Sequence, residues 1–230
     1  MIRLSVEGLT LRAPGGETLV HELDLQLTCG EVTVLMGPSG SGKSSVLGWL
    51  TGTLPPGFQA RGQLMLDGRS LLSVPTERRR IGLMLQSDFL FPHMTVAENL
   101  LFGLRGGSRG ERRERVAASL ADAGLAGLGE RDPATLSGGQ RARVSLLRTL
   151  LSDPAVLLLD EPFSRLDAAR REQIRAFTWQ QARALPVLLV THDLADIPSG
   201  ARVIEIGAGG RAVADASCAG LRRTPTPDPG

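Results

Sequence analysis

The chain has 230 residues, 42% of them hydrophobic, which is enough to bury a full core as one domain or as a domain with an insertion. A formal net charge of +2, from 26 Lys+Arg against 24 Asp+Glu, makes no electrostatic case for nucleic acid as a partner. Two distant cysteines, Cys29 and Cys218, lack metal-ligand spacing and read as reduced thiols, and no apolar run approaches the ~18 residues that span a bilayer, so a soluble chain is expected.

Residues 1–7 alternate like a strand and contain no signal-peptide core. Strand-like stretches at 2–6, 18–27 and 32–36 follow, and Gly15-Gly16 sets a turn between the first two, as in an antiparallel sheet. The third leads into Gly37-Pro38-Ser39-Gly40-Ser41-Gly42-Lys43-Ser44, which fits the phosphate-loop pattern G-x-x-x-x-G-K-[ST], and a helical stretch at 45–50 comes next. In such a turn successive backbone N–H groups and the positive end of the helix gather phosphate oxygens. Lys43 then reaches the β- and γ-phosphates and the Ser44 hydroxyl holds Mg²⁺. The alternative, an ordinary glycine-rich loop, leaves the strand-loop-helix context idle. Lys43 is also the only lysine in the chain. A compact ammonium enters a phosphate cradle in a way that a broad planar guanidinium does not.

The first helix is expected to end near Gly52, and Pro55-Pro56-Gly57 breaks the chain. A strand at 62–66 meets a hairpin signal at Asp67-Gly68. Arg78-Arg79-Arg80 reads as a solvated edge, with a phosphate or partner contact as the alternative. It precedes an apolar strand at 81–85 that ends at Gln86. From 87 to 154 the spacing turns helical, at 96–104, at 112–123, and after Ser137-Gly138-Gly139-Gln140, where Val144, Leu147 and Leu151 share one face. Residues 155–160 then form a continuous apolar strand of the doubly buried, parallel type. A helix at 168–184 and a strand at 187–191 complete a βαβ unit, and short strands at 203–206 and 211–214 close the fold. The tail 224–230 is too rich in proline and polar residues to pack and is expected to be disordered. The fold class predicted is α/β: a P-loop core with a mainly parallel sheet, an N-terminal antiparallel β subdomain and an inserted helical subdomain. One domain over 1–223 is expected, with 1–86 and 155–223 as core and 87–154 as the insertion.

Val156-Leu157-Leu158-Leu159-Asp160-Glu161-Pro162 sets two adjacent carboxylates at the carboxyl end of a buried strand, where ligands of open α/β sheets bind. There Asp160 can hold Mg²⁺ through water, and Glu161 can orient and deprotonate an attacking water. An acidic cap on the next helix is the plainer alternative. At Leu136-Ser137-Gly138-Gly139-Gln140, a hydroxyl, two glycine amides and a helix N-terminus make a second anion site. A phosphate loop and a second anion site in one chain suggest that two molecules share each nucleotide.

These motifs together resemble the ATP-binding subunits of ABC transporters, and the likeness covers nearly the whole chain. Walker A lies at 37–44, the Q-loop glutamine is Gln86, and the signature is 136–140. Walker B ends at Asp160 and Glu161, the D-loop is Ser164-Arg165-Leu166-Asp167, and the switch histidine is His192. The resemblance implies ATP and Mg²⁺ as cofactors and a head-to-tail dimer with two ATPs at its interface. Residues 37–44 with Ser45 would hold the phosphates in one copy, and Ser137, Gly138, Gly139 and Gln140 of the other copy would close over them. It further implies that Lys43, Glu161, His192 and Gln86 serve catalysis, that Ser44, Gln86 and Asp160 surround the metal, and that Asp167 serves the dimer contact. His21 and His93 have no such setting and read as surface residues. The segment 90–99 resembles bacterial importers of the thiamine, polyamine, sulfate and sugar type. An importer ATPase is therefore expected on the cytoplasmic face of the inner membrane. Its partners would be a second copy, membrane permease subunits and a solute-binding protein, without nucleic acid.

Three departures stand out. Arg12-Ala13-Pro14 occupies the place where the family carries an aromatic that stacks on adenine, so looser base preference is expected. Arg165 stands in the D-loop where a small residue is common, and Pro198-Ser199-Gly200 interrupts the helix expected after His192. The competing reading is a soluble ABC-type ATPase acting on DNA or ribosomes. It would call for coiled-coil or zinc insertions or tandem nucleotide domains, and the roughly fifty residues between Gln86 and the signature carry no sustained heptads or cysteine clusters. A P-loop kinase would leave the signature without a role.

Overall fold

The computed structural model describes residues 3–207 and 210–214; the tail at 224–230, the domain limit at 223 and Cys218 lie outside them. Strands β1 (Arg3–Arg12), β2 (Thr18–Thr28), β4 (Gln59–Leu66) and β5 (Arg69–Ser70) form an antiparallel sheet in the order β2-β1-β4-β5. β1 runs six residues past the predicted end, because its buried residues are Leu4, Val6, Leu9 and Leu11. That set changes parity between Val6 and Leu9, where simple alternation would turn the leucines to solvent. A register shift there, with Gly8 at φ 61°, supplies the extra residue and keeps all four on one face. β4 begins three residues earlier than predicted. In it Gly62, at φ 135°, allows the close approach of β1, since a Cβ there would lie 2.8 Å from Leu9 Cα.

The second sheet has the order β10-β9-β3-β8-β7-β6. It comprises β3 (Val32–Met36), β6 (Ile81–Met84), β7 (Val156–Asp160), β8 (Val187–Val190), β9 (Arg202–Ile206) and β10 (Ala212–Ala214), and only the β9–β10 pair is antiparallel. The apolar runs of β7 and β8 are buried on both faces, as a covered parallel sheet requires. On one face, Val156, Leu158, Leu188 and Val190 pack with helix α1 (Lys43–Thr51) and the antiparallel sheet. On the other, Leu157, Leu159, Val187 and Leu189 pack with Phe163 and with α5 (Ala168–Ala182). A third cluster joins α2 (Val96–Gly103), α3 (Arg109–Asp122) and α4 (Gly138–Leu151) through Leu100, Leu120, Val144 and Leu147.

Each of these three helices opens on a capping box: Thr95 with Glu98, Ser108 with Glu111, and Ser137 with Gln140. The box at Ser108 starts α3 three residues ahead of the predicted 112, because the cap satisfies amides that the apolar spacing does not register.

The arginine triplet is not a uniformly solvated edge. Arg80 is exposed and pairs with Asp153, but Arg79 is buried. Its guanidinium donates to the carbonyls of Val74, Trp49 and Leu50, each at 2.9 Å. The last two belong to the final turn of α1, where carbonyls lack intrahelical donors and a cation meets the negative end of the helix.

Candidate active site

The carboxyl ends of the central parallel strands gather the predicted site. Gly37 directly follows β3 and Glu161 directly follows β7, while His192 lies two residues beyond β8 and Gln86 two residues beyond β6. The phosphate loop holds glycines where no other residue fits. Gly37 has φ 144°, and a Cβ on it would come 2.5 Å from the Ile206 carbonyl oxygen. Gly42 caps α1 at φ 91°, and a Cβ there would meet Leu19 of β2 at 2.9 Å. The loop thus lies against both sheets.

Lys43 Nζ donates to the loop's own carbonyls, Gly37 O at 2.9 Å and Pro38 O at 2.7 Å. Burial pushes its pKa down, while Glu161 and Asp160 push it up. Ser41 Oγ is buried in the loop without a hydrogen-bond partner. A curled loop with an inward ammonium and an orphan hydroxyl suits a phosphate chain, which supplies acceptors to both. Asp160 accepts a hydrogen bond from Ser44, and its pKa is raised, first by burial and then by neighbouring Glu161, against the opposing pull of Lys43. Two carboxylates side by side at the end of a buried strand are a fitting place for a cation. Among the described residues no group of three or more His, Cys, Asp or Glu could hold a metal ion. A divalent ion here would lean on Ser44, Asp160, Gln86 and phosphate oxygens, the oxygen set that Mg²⁺ takes.

Glu161 sits at φ 46°, an uncommon conformation for a non-glycine residue and one that cost of order 1–3 kcal/mol to hold elsewhere. Its amide donates to Val190 O at 2.9 Å, and its carbonyl accepts from Ser164 Oγ at 2.9 Å. Its carboxylate lies 3.0 Å from His192 Nδ1 and 3.4 Å from Gln86 Nε2, and Gln86 also reaches Ser164 Oγ at 3.2 Å. Strand ends far apart in sequence thus bring Gln86, Glu161 and His192 into one polar cluster.

The signature residues lie elsewhere. Ser137 accepts from the Gln140 amide at 3.3 Å and the Gln140 side chain accepts from the Ser137 amide at 2.9 Å, so the two residues close the head of α4 on themselves. Gly138 and Gly139 face Leu166, Arg170 and Ile174. Among the described residues no hydrogen bond or ion pair joins 137–140 to 37–44. Asp167 caps α5, accepting from Arg170 N at 3.0 Å. Ala13 closes a turn by donating to Glu17 O at 2.8 Å, and no aromatic stands there. His21 and His93 are exposed.

Sequence reasoning missed two sets of supporting residues. Asp196, buried at 2% exposure, takes both Arg171 nitrogens at 2.8 and 2.6 Å and accepts from Thr191 Oγ1 at 3.1 Å. Arg171 also pairs with Asp193 at 2.8 Å. The pair ties the chain on both sides of His192 to α5, and only a 3₁₀ turn at Leu194–Asp196 survives before Pro198. The i to i+25 spacing of Arg171 and Asp196 carries no local signal. The second set surrounds Asp88 and is taken up below.

A match to the ABC transporter family covers residues 20–164. Over 206 residues the chain is 44% identical to an uncharacterized ABC transporter ATP-binding protein, YnjD of Escherichia coli, covering 88% of this chain and 94% of that one. It is 41% identical over 197 residues to the sn-glycerol-3-phosphate import ATP-binding protein UgpC of Chromohalobacter salexigens, covering 84% and 52%. It is 42% identical over 194 residues to the Fe(3+) ions import ATP-binding protein FbpC of Streptomyces coelicolor, covering 83% and 55%. The chain spans about half the length of these import proteins and nearly all of the first.

Proposed function

We propose that this chain, which belongs to the ABC transporter family and is an ATPase of that family, energises a bacterial import system as a peripheral subunit. The observation that carries the reading is the Glu161 carboxylate, held between His192 Nδ1 at 3.0 Å and Gln86 Nε2 at 3.4 Å beside the loop that positions Lys43. In this reading residues 37–44 and Ser45 bind the ATP phosphates, and Lys43 leaves its loop carbonyls for the β- and γ-phosphates. Ser44, Gln86 and Asp160, the last through water, would hold Mg²⁺, which when bound neutralises phosphate charge. Glu161 takes the proton of the attacking water, and His192 fixes the orientation of that carboxylate.

The signature residues Ser137, Gly138, Gly139 and Gln140 act on ATP held by a second copy, with Asp167 at the contact between copies. Their lack of bonding to residues 37–44 within one chain supports this arrangement. ATP thereby acts as the ligand that favours the closed pair. We take 1–223 as one ATPase domain, with 1–86 and 155–223 as core and 87–154 as the helical insertion.

Among the described residues no helix is long and apolar enough to cross a membrane, so transport requires permease subunits as partners. Phe89 and Phe102, both 64% exposed, offer them apolar contacts. The import relatives favour solute entry and a solute-binding protein in the same system, on the cytoplasmic face of the inner membrane.

Glu161→Gln should lower ATP turnover by roughly 10²–10⁴-fold, the contribution of a general base, and leave ATP binding intact. Mass spectrometry of proteins that co-purify with this variant from detergent-solubilised membranes, with ATP present, should recover a multi-span membrane protein. Recovery of ribosomes or nucleic acid alone would move the assignment to a soluble ATPase, and unchanged turnover would remove Glu161 from the mechanism.

A further inference from the structure

Two residues beyond Gln86, Asp88 sits among arginines that come from two other motifs. Its Oδ2 accepts from Arg141 Nε at 3.3 Å, with the two side chains 29% and 39% exposed. Arg141 also donates to Leu136 O at 2.7 Å, the carbonyl directly before Ser137. The Asp88 carbonyl accepts from Ser145 Oγ at 3.2 Å and from Arg148 Nη2 at 3.1 Å, both side chains of α4. Arg148 Nη1 reaches the next carbonyl, Phe89 O, at 2.8 Å. Phe89 holds a left-handed φ of 43°, a strained position that these bonds keep in place. Arg165, exposed in the loop between Glu161 and α5, makes no hydrogen bond or ion pair among the described residues, but it acts on Asp88 electrostatically.

Asp88 thus meets the signature helix twice, its carboxylate at Arg141 and its carbonyl at Ser145 and Arg148. Burial raises the pKa of the carboxylate, while the Arg141 hydrogen bond and the nearby arginine charges lower it. Without that carboxylate, Arg141 keeps a single hydrogen bond, to Leu136 O, before the signature. That loss bears on where the head of α4 lies relative to Gln86.

We propose that Asp88 is a positioning residue that binds the Gln86 segment to the head of the signature helix through Arg141, so that Gln86 and the signature keep a fixed relation during ATP turnover. This rests on the ATPase reading above.

The test uses the full chain carrying Asp88→Asn, Asp88→Glu, Arg141→Gln, and Asp88→Asn with Arg141→Gln. Steady-state kcat and KM for ATP would be measured beside direct binding of a fluorescent ATP analogue. Asp88→Asn should lower kcat by roughly 2- to 30-fold, the range of energetic coupling within such networks, and leave analogue binding unchanged. Asp88→Glu should recover most of the loss. The double variant should fall no further than Arg141→Gln alone, since both changes break one link. Arg141→Gln gives up the same bond from the other side and should lower kcat at least as far as Asp88→Asn; this measurement stands even if the Asp88 variants misfold, because the Arg141 side chain is 39% exposed. A wild-type kcat in Asp88→Asn or in Arg141→Gln, or additive losses in the double variant, would overturn the proposal. If the wild-type chain turns over ATP and Glu161→Gln abolishes it, any of these outcomes counts against the Asp88 link alone. If the wild-type chain hydrolyses no ATP, the ATPase reading itself has failed.

Discussion

Asp193, beside His192, shows how a single charge helps hold the switch segment. The Ala195 amide donates to its carboxylate at 2.9 Å, and Arg171 lies 2.8 Å away. The backbone bond is the main cause that sets its pKa below the ordinary carboxylate value; burial works against it, and the charge and hydrogen bond of Arg171 add to the lowering. A carboxylate whose folded pKa is depressed stabilises the fold above its unfolded pKa and loses that contribution as the pH falls through the folded value. Asp193→Asn should therefore melt below the wild type at pH 7, and the gap should close as the pH drops beneath about 4, where the unfolded-state carboxyl titrates. Thermal unfolding at pH 7 and pH 3 measures this. A gap that persists at pH 3 would show that the side chain acts through packing and not through charge.

Among the elements, α1 is the one whose placement matters most to the phosphate loop, and its far end is fixed by an arginine 28 positions further along the chain. Arg79 donates to the Leu50 carbonyl and shares Trp49 O with the Gly52 amide, and Gly52 leaves room for the guanidinium, since a Cβ there would lie 2.8 Å from Arg79 Cζ. Arg79→Met keeps most of the volume and removes three hydrogen bonds to carbonyls. Hydrogen bonds from a charged donor are each worth about 1.5–3 kcal/mol, partly offset by relief from burying the charge. A net loss of roughly 2–4 kcal/mol is expected from urea unfolding, with an unchanged m-value. A loss under about 0.5 kcal/mol, the scale of surface substitutions, would mean that the charge is dispensable.

For the whole molecule, the two sheets meet at the phosphate loop, and the base of a bound nucleotide would extend toward the antiparallel one. That sheet offers Arg12, Ala13 and Pro14 where base stacking calls for an aromatic, and the chain has no tyrosine anywhere. Stacking is worth about 1–3 kcal/mol per base and is open to either purine, so its absence loosens the hold on the base, and a loosely held base is poorly discriminated at its hydrogen-bonding edge. Competition binding should give dissociation constants for ATP and GTP within about threefold of each other, a difference of less than 1 kcal/mol. Strong ATP selectivity would show that other side chains grip the base.

The sequence by itself determined the parts whose signals are local. The phosphate loop, the doubly buried strand that ends at Asp160, and the helix opened by 136–140 each rest on contiguous residue types whose backbone demands are settled within a few positions. The α/β class with an antiparallel sheet, a parallel sheet and a helical stretch followed from the change of apolar period along the chain. Tertiary structure alone decided that β1 continues through a bulge to Arg12, because a parity change reads as the end of a strand until a partner strand fixes the register. It also decided that Arg79 is buried, that Asp196 and Arg171 brace His192, and that Asp88 collects two arginines of the signature helix. Those are pairings across 25 to 60 residues of chain, whose energies come from burial and from partners that no local pattern encodes.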